Sequence, residues 1–511
     1  MKRLITLFLT GALCLCLCAC REEAPVVSQT PTPRPTVTPE ESREFALAYD
    51  PLAGLNPITG DSRVNQMLTS LVYEGLYRLD ETFAPQPVLA QNGEVDESGL
   101  IWTITLREGV VFSDGTPLEA RHVVSSLKLA MKSTLYSGRL KKVESVKEKD
   151  GTVVIRLTEP NGGLLSLLDI PVILETDEGA APLGTGRYRY IQDGERVYLQ
   201  QNYNRDGELP CSMILLHGVS AVDERIETFD SGLVSAVITD LASPYAIGYS
   251  GSYEIWDYDT TDLLYVGFKA VESPCESALV RQAFAKAFDR AAIVGEVLDE
   301  HGVEAELPVH PVHQNWHEAA ASTLEYDLQA AADLLNRAGY QRDEETGLLC
   351  RKKETLDVTL LVNSDNGVKL AIADRLAEAM TSLGVTVTVS KFPWKDYMTA
   401  LENGTFDLYL GEVRLTADFD VTELLIGSLN YGGFDPTLLE PALTKRNTAT
   451  GHQRYWYSRA LWEDFVKEVP VAPLCFKKES LLLTWGMGFR PTPLRGDPFF
   501  GMENWPSRRV G

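Results

Sequence analysis

The stretch Thr355-Leu356-Asp357-Val358-Thr359-Leu360-Leu361-Val362-Asn363 alternates in polarity and is rich in β-formers, which predicts a strand. After it, residues 369–383 place Leu370, Ala373, Leu376, Ala377, Met380 and Leu383 on one helical stripe. Gly384 stands where a glycine ends a helix. Residues 385–389 predict a second strand, 394–402 a short helix and 406–410 a third strand. Strand–helix–strand–helix–strand implies right-handed crossovers and a parallel sheet. Ligands of such sheets lie beyond the carboxyl ends of the strands. The chain is expected to leave the third strand into a loop over 412–420, carrying Glu412, Arg414, Asp418 and Asp420, as one wall of a ligand cleft.

Towards the amino end, Lys2 and Arg3 precede an uncharged apolar run over 4–19, too short to span a bilayer comfortably and of signal-peptide size. The run ends Leu17-Cys18-Ala19-Cys20, which resembles the bacterial lipobox, with Cys20 as the lipidated residue of a signal peptide over 1–20. The alternative is a secretory signal without lipid. Prolines at 31, 33, 35 and 39 forbid helix and sheet pairing, so residues 21–41 form an extended tether. Later apolar stretches are short or interrupted, so the body is expected outside the cytoplasm, held on a membrane surface by acyl chains alone.

About 470 residues beyond the tether exceed one ordinary domain. The sequence is 44% hydrophobic and 23% charged, a globular composition. Its formal charge of −25 argues against nucleic acid as a partner. Beyond Cys20 stand Cys211, Cys275, Cys350 and Cys475, without zinc-ligand spacing, as disulfides or buried thiols.

The segment Ala84-Pro85-Gln86-Pro87-Val88-Leu89-Ala90, followed by Leu106-Arg107-Glu108-Gly109-Val110-Val111-Phe112-Ser113-Asp114-Gly115, reads as strand, bend, strand and turn before a helix. It resembles the signature of the bacterial extracellular solute-binding proteins of family 5, the peptide/nickel-binding receptors of ATP-binding-cassette importers. Leu55-Asn56-Pro57, Tyr73-Glu74-Gly75-Leu76, Gly184-Thr185-Gly186-Arg187-Tyr188, the helix over 280–290 and Val469-Pro470-Val471 continue the resemblance in order. It implies an α/β, two-lobed periplasmic-binding-protein-like fold of class II, the large peptide-binding type with an inserted third subdomain. Lobe one is expected over 42–266 plus 470–511, with 61–179 inserted, and lobe two over 267–469. The implied function is capture of a peptide or similar small solute by a monomer, for a membrane permease and its ATPase subunits, without cofactor or catalysis. A metal- or haem-binding receptor of the same fold is the alternative.

The resemblance also supplies candidate ligand residues. Asp418, in Ala417-Asp418-Phe419-Asp420, matches the carboxylate that pairs with a peptide α-ammonium; alternatively it caps a helix over 420–425. Trp394 matches a residue that packs on ligand side chains, or else is a core tryptophan at a helix start. Arg414 offers a fork to a ligand carboxylate, or neutralises Glu412 or Asp418. Asp420, Tyr431 and, by analogy only, Asn56 complete the set. Two further signals point elsewhere. His310, His313 and His317 have ligand-like spacing without an acidic or thiol partner. Gly248-Tyr249-Ser250-Gly251-Ser252 approaches a nucleophile elbow but lacks its last glycine, which keeps an extracytoplasmic hydrolase as the rival function.

Overall fold

The computed structural model describes residues 44–176, 180–205, 207–243, 248–316 and 318–506. The leader, Cys20, the proline tether and His317 lie outside the described residues. The chain opens with β1 (Ala46–Tyr49). Strands β2 (Ala90–Val95), β3 (Ile101–Leu106), β4 (Val143–Lys149) and β5 (Thr152–Leu157) form a separate antiparallel sheet in the order β2-β3-β5-β4. Helix α1 (Ala120–Ala130) packs on it through Val123 and Leu127. Next come β6 (Tyr188–Asp193), β7 (Arg196–Gln201), β8 (Met213–Gly218), β9 (Ala236–Thr239) and the long β10 (Tyr253–Phe268).

Helix α2 (Ala278–Ala287) buries Val280, Ala283, Phe284 and Ala287, the spacing of one broad helical face. Then follow β11 (Asp357–Asn363), α3 (Gly367–Ser382), β12 (Thr386–Phe392), α4 (Trp394–Glu402) and β13 (Leu408–Arg414). This is the strand–helix alternation expected of the stretch, and β11 runs parallel to both β12 and β13. Helix α3 begins at Gly367 because the Asn366 side chain accepts the Lys369 N–H at 2.9 Å. It ends at Gly384, whose φ of +93° an L side chain rarely adopts. The third strand begins two residues later than expected and runs on to Arg414, because β10 pairs with it as far as Asp262↔Arg414. Glu412 and Arg414 are therefore strand residues, not loop residues. Helices α5 (Glu440–Thr448) and α6 (Gly451–Glu468) lead into β14 (Val471–Thr484).

One large sheet runs β12-β11-β13-β10-β14-β9-β1-β8-β7-β6, with the short strand Gly302–Glu304 added against β14. It serves two large apolar cores and a smaller one around Phe229, on Ala48 of β1, Val237 of β9 and Leu482 of β14. Leu263–Phe268 of β10 and Val471, Leu474 and Phe476 of β14 belong to one core, together with α2, α3 and the parallel strands. Leu481 and Leu483 of β14 belong to the other, with β1, β8 and the whole four-stranded sheet. The molecule is thus two-lobed, with β10 and β14 passing from one core to the other.

Candidate functional site

The crossing strands change lobe at an irregularity. β10 and β14 pair through Asp259↔Lys478 and resume at Leu263↔Phe476, leaving Thr260, Thr261 and Asp262 opposite Lys477 alone. Extra residues on one strand bend it and raise its twist. Side chains hold the bend: the Thr260 hydroxyl donates to the Lys477 carbonyl and the Thr261 hydroxyl to the Leu415 carbonyl, both at 2.6 Å. The Lys477 ammonium is buried between Asp240, just beyond β9 in one lobe, and Glu412 in the other. Glu412 also pairs with Lys369 at 2.9 Å. Burial pushes the Glu412 carboxyl up, but the two lysines outweigh it and leave it below the ordinary carboxylate range.

A cavity of about 270 Å³ lies over these strands, with Phe83, Asp257, Asp259, Lys478 and Arg495 among its walls. Phe83 reaches it from the loop after the short strand Tyr77–Leu79, held by Asp80, whose carboxylate accepts the Thr82 and Ala84 N–H groups. Its ring packs edge-on against Phe419 at 5.4 Å. Phe83 and Phe419 both adopt positive φ, +58° and +50°, so the aromatic contact between the lobes joins two strained backbones.

The second contact between lobes surrounds Asp418, whose side chain is 3% exposed. Its carboxylate accepts from the Thr416 hydroxyl at 2.6 Å and the Asp420 N–H at 3.3 Å, and Arg454 approaches to 3.8 Å. The Asp418 carbonyl accepts from Arg454 and Arg446. Across the seam, Gly162 donates its N–H to the Asn447 carbonyl at 2.8 Å. Gly163 is so close that a Cβ there would stand 2.6 Å from the Asp418 Cβ. Two lysines just before β4 complete the seam. Lys142 bridges Asp420 at 3.0 Å and Glu159 at 2.9 Å, and Lys141 meets Glu423 at 2.5 Å. Burial raises the Asp420 carboxyl, but Lys142 and the Thr422 hydroxyl and N–H outweigh it, so it lies well below the carboxylate range. Burial lowers Lys142, yet Asp420 and Glu159 leave it raised.

The expected ligand residues distribute unevenly. Asp418 and Asp420 share the seam. Asp420, rather than Asp418, receives the Thr422 N–H at the start of the short helix Thr422–Leu425. Arg414 gives its fork to Asp262, at 2.6 Å for both bonds, instead of neutralising Glu412 or Asp418. Trp394 is 54% exposed and stacks on Tyr397, so it is no core residue. Tyr431 does not join Asp418: its ring meets Tyr409, near the start of β13, and its neighbour Gly432 accepts the Ala270 N–H, at the opposite end of the strand from Arg414. The Asn56 carboxamide accepts the Ile58 and Thr59 N–H groups and so builds its own loop. Lys141, Lys142, Arg454 and Phe83 were not anticipated; the Lys141-Lys142 pair in so acidic a chain was the one available signal.

The rival signals resolve locally. The Ser250 hydroxyl donates to the Asp230 carboxylate at 2.5 Å, which also takes the Ser250 and Gly251 N–H groups, an arrangement that closes a loop. His310 stands 3.7 Å from Asp259, and the His313 ring lies against Phe419. Among the described residues no group of three or more His, Cys, Asp or Glu could hold a metal ion. Cys275, Cys350 and Cys475 are free thiols.

Two large cores joined by bulged crossing strands, with a seam between them and a charged cavity beside the strands, define a two-lobed binding protein. Residues 84–431 match the family described as bacterial extracellular solute-binding proteins, family 5 (middle), and the chain belongs to that family. Protein XP55 of Streptomyces lividans is 28% identical over 421 residues, covering 77% of this chain and 74% of its own. The oligopeptide-binding protein AppA of Bacillus subtilis is 23% identical over 494 residues, 86% of each. Among solved structures, the unliganded open form of the periplasmic murein tripeptide binding protein MppA superposes with a TM-score of 0.72 at 18% identity, covering 92% of this chain and 96% of that one.

Proposed function

We propose that this protein is the lipid-anchored receptor of an ATP-binding-cassette importer, capturing a peptide between its lobes for delivery to a membrane permease. Cys20 carries the acyl chains and residues 21–41 the tether. The observation that carries the reading is Asp418, a carboxylate with almost no exposure set in the seam between lobes, whose ion-pair partner among the described residues, Arg454, comes no closer than 3.8 Å. An arriving α-ammonium makes a closer, charge-assisted bond there and displaces the guanidinium. The relation to an oligopeptide-binding and a murein tripeptide binding protein supports the peptide class. The lobes 42–266 plus 470–511 and 267–469 turn about the bulge at Thr260–Asp262 and Lys477 as guest enters.

Calorimetry of the protein with free and N-acetylated di- to pentapeptides tests this. Free peptides bind, acetylation weakens them roughly tenfold or more, and Asp418→Ala removes that preference. Equal binding of acetylated peptides, or an unchanged preference in Asp418→Ala, overturns the ammonium socket. Fractionation of cells carrying Cys20→Ala tests the anchor: the variant leaves the membrane fraction, and one that stays there refutes lipidation at this residue.

A further inference from the structure

The first lobe holds a second cavity, of about 300 Å³, walled by residues between 69 and 209 and between 495 and 503. No residue of the second lobe reaches it, and Arg495 alone borders both this cavity and the one over the crossing strands. Its cations are matched with one exception. Arg187 pairs with Asp497 at 2.8 Å, Arg205 with Glu74 at 2.6 Å, and Arg495 faces Asp169 at 4.0 Å. The Arg78 side chain has no hydrogen bond or ion pair among the described residues. Its Nε is buried without an acceptor, and its guanidinium lies 4.3 Å over the Phe500 ring. The Ser70 hydroxyl, on the same wall, is also buried without a partner. Buried donors left unpaired cost free energy that an acceptor restores.

We propose that this cavity is a second binding site, for a small organic carboxylate, anchored by the fork of Arg78. A guanidinium matches a carboxylate with two parallel N–H bonds. The apolar walls at Leu79, Val88, Leu209 and Phe500 suit a hydrocarbon body rather than a bare inorganic anion. The volume sets the size at that of an amino acid or a short aryl acid. Since every wall belongs to one lobe, occupancy does not require the lobes to move, and the site stands whether or not the interlobe cleft takes peptides.

Calorimetry and saturation-transfer NMR on the full chain, with phenylacetate, succinate and inorganic phosphate as probes, test it. Phenylacetate binds saturably, more tightly than phosphate, with no change in the radius of gyration by X-ray scattering. Arg78→Gln weakens it roughly 10- to 100-fold, the range expected for a hydrogen bond to a charged group, and Arg78→Lys recovers part of the loss. Thermal melts of each variant check folding, and Ser70→Ala, which removes only a hydroxyl, supplies a milder weakening should Arg78→Gln not fold. Phosphate binding as tightly as phenylacetate overturns the ligand class. Undiminished binding by Arg78→Gln and Ser70→Ala, or no saturable binding of any probe, overturns the site.

Discussion

Lys142→Ala cuts the ion pair that ties the start of β4 to the second lobe. The partner side chains are 16% and 14% exposed, between the surface and fully buried cases. Isolated surface pairs are worth about 0–1 kcal/mol, whereas removing one partner of a buried pair costs about 3–5. Asp420 keeps its Asn447 and Thr422 donors, which places the loss at about 2 kcal/mol, or roughly 30-fold in the closing equilibrium. Lys142 retains Glu159 on its own lobe when the seam opens, so the loss falls on closure rather than on folding of either lobe. Single-molecule energy transfer between labels on the two lobes reads the closed fraction. Peptide affinity falls by the same factor if closure and capture are one equilibrium. The depressed Asp420 carboxyl contributes above the ordinary carboxylate range and loses its contribution only as pH falls through its lowered value. The raised Lys142 contributes below the ordinary lysine value and loses its contribution as pH climbs through its raised one. The latch is therefore flat from about pH 5.5 to 9, given reference values near 3.9 and 10.4. An unchanged closed fraction in Lys142→Ala refutes the reasoning. So does a double-mutant cycle with Asp420→Asn whose coupling stays below about 0.3 kcal/mol.

Two further outcomes are expected. Gly162→Ala puts a Cβ onto the Ala449 carbonyl oxygen across the seam, so the closed form loses about 1–3 kcal/mol while the melting temperature stays near that of the parent; scattering and peptide affinity check it. Burial pushes the Cys475 thiol up to about 12 and that of Cys275 up as well, whereas Cys350 is partly exposed; mass spectrometry after brief alkylation at pH 8 therefore finds Cys350 modified first.

Local periodicity carried the sequence reading as far as local forces act. The strands and helices between 357 and 414 follow from alternation, a helical stripe and Gly384, all short-range signals. The far end of β13 escaped because its length is set by Asp262, 152 positions from Arg414 in the chain. The same separation hid the partner of Arg414, since no spacing rule links residues so distant. Asp418 follows from resemblance, but its neighbours come from elsewhere in the chain: Arg454 from α6 of the same lobe, and Gly163 from the other lobe across the seam. Lys142 and Asp420 lie 278 positions apart, again beyond any local pattern.

The bend bears on how the chain can cross twice between lobes and, as proposed, still allow them to turn. A regular pair of strands would resist bending along its whole ladder, but here the ladder is interrupted between Asp259 and Leu263. The freed backbone is taken up by the Thr260 and Thr261 hydroxyls, which can follow small rotations that a sheet register cannot. Lys477 then sits between a carboxylate of each lobe, Asp240 and Glu412, so the lobes share one cation beside the bend. In the proposed hinge motion, pairs beside the bend change length little, while Lys142–Asp420 and Lys141–Glu423, which join the lobes across the seam, are the ones to separate. On the proposed reading, the charges beside the interrupted ladder fix where the molecule bends, and the seam pairs, with a guest at Asp418, decide whether it shuts.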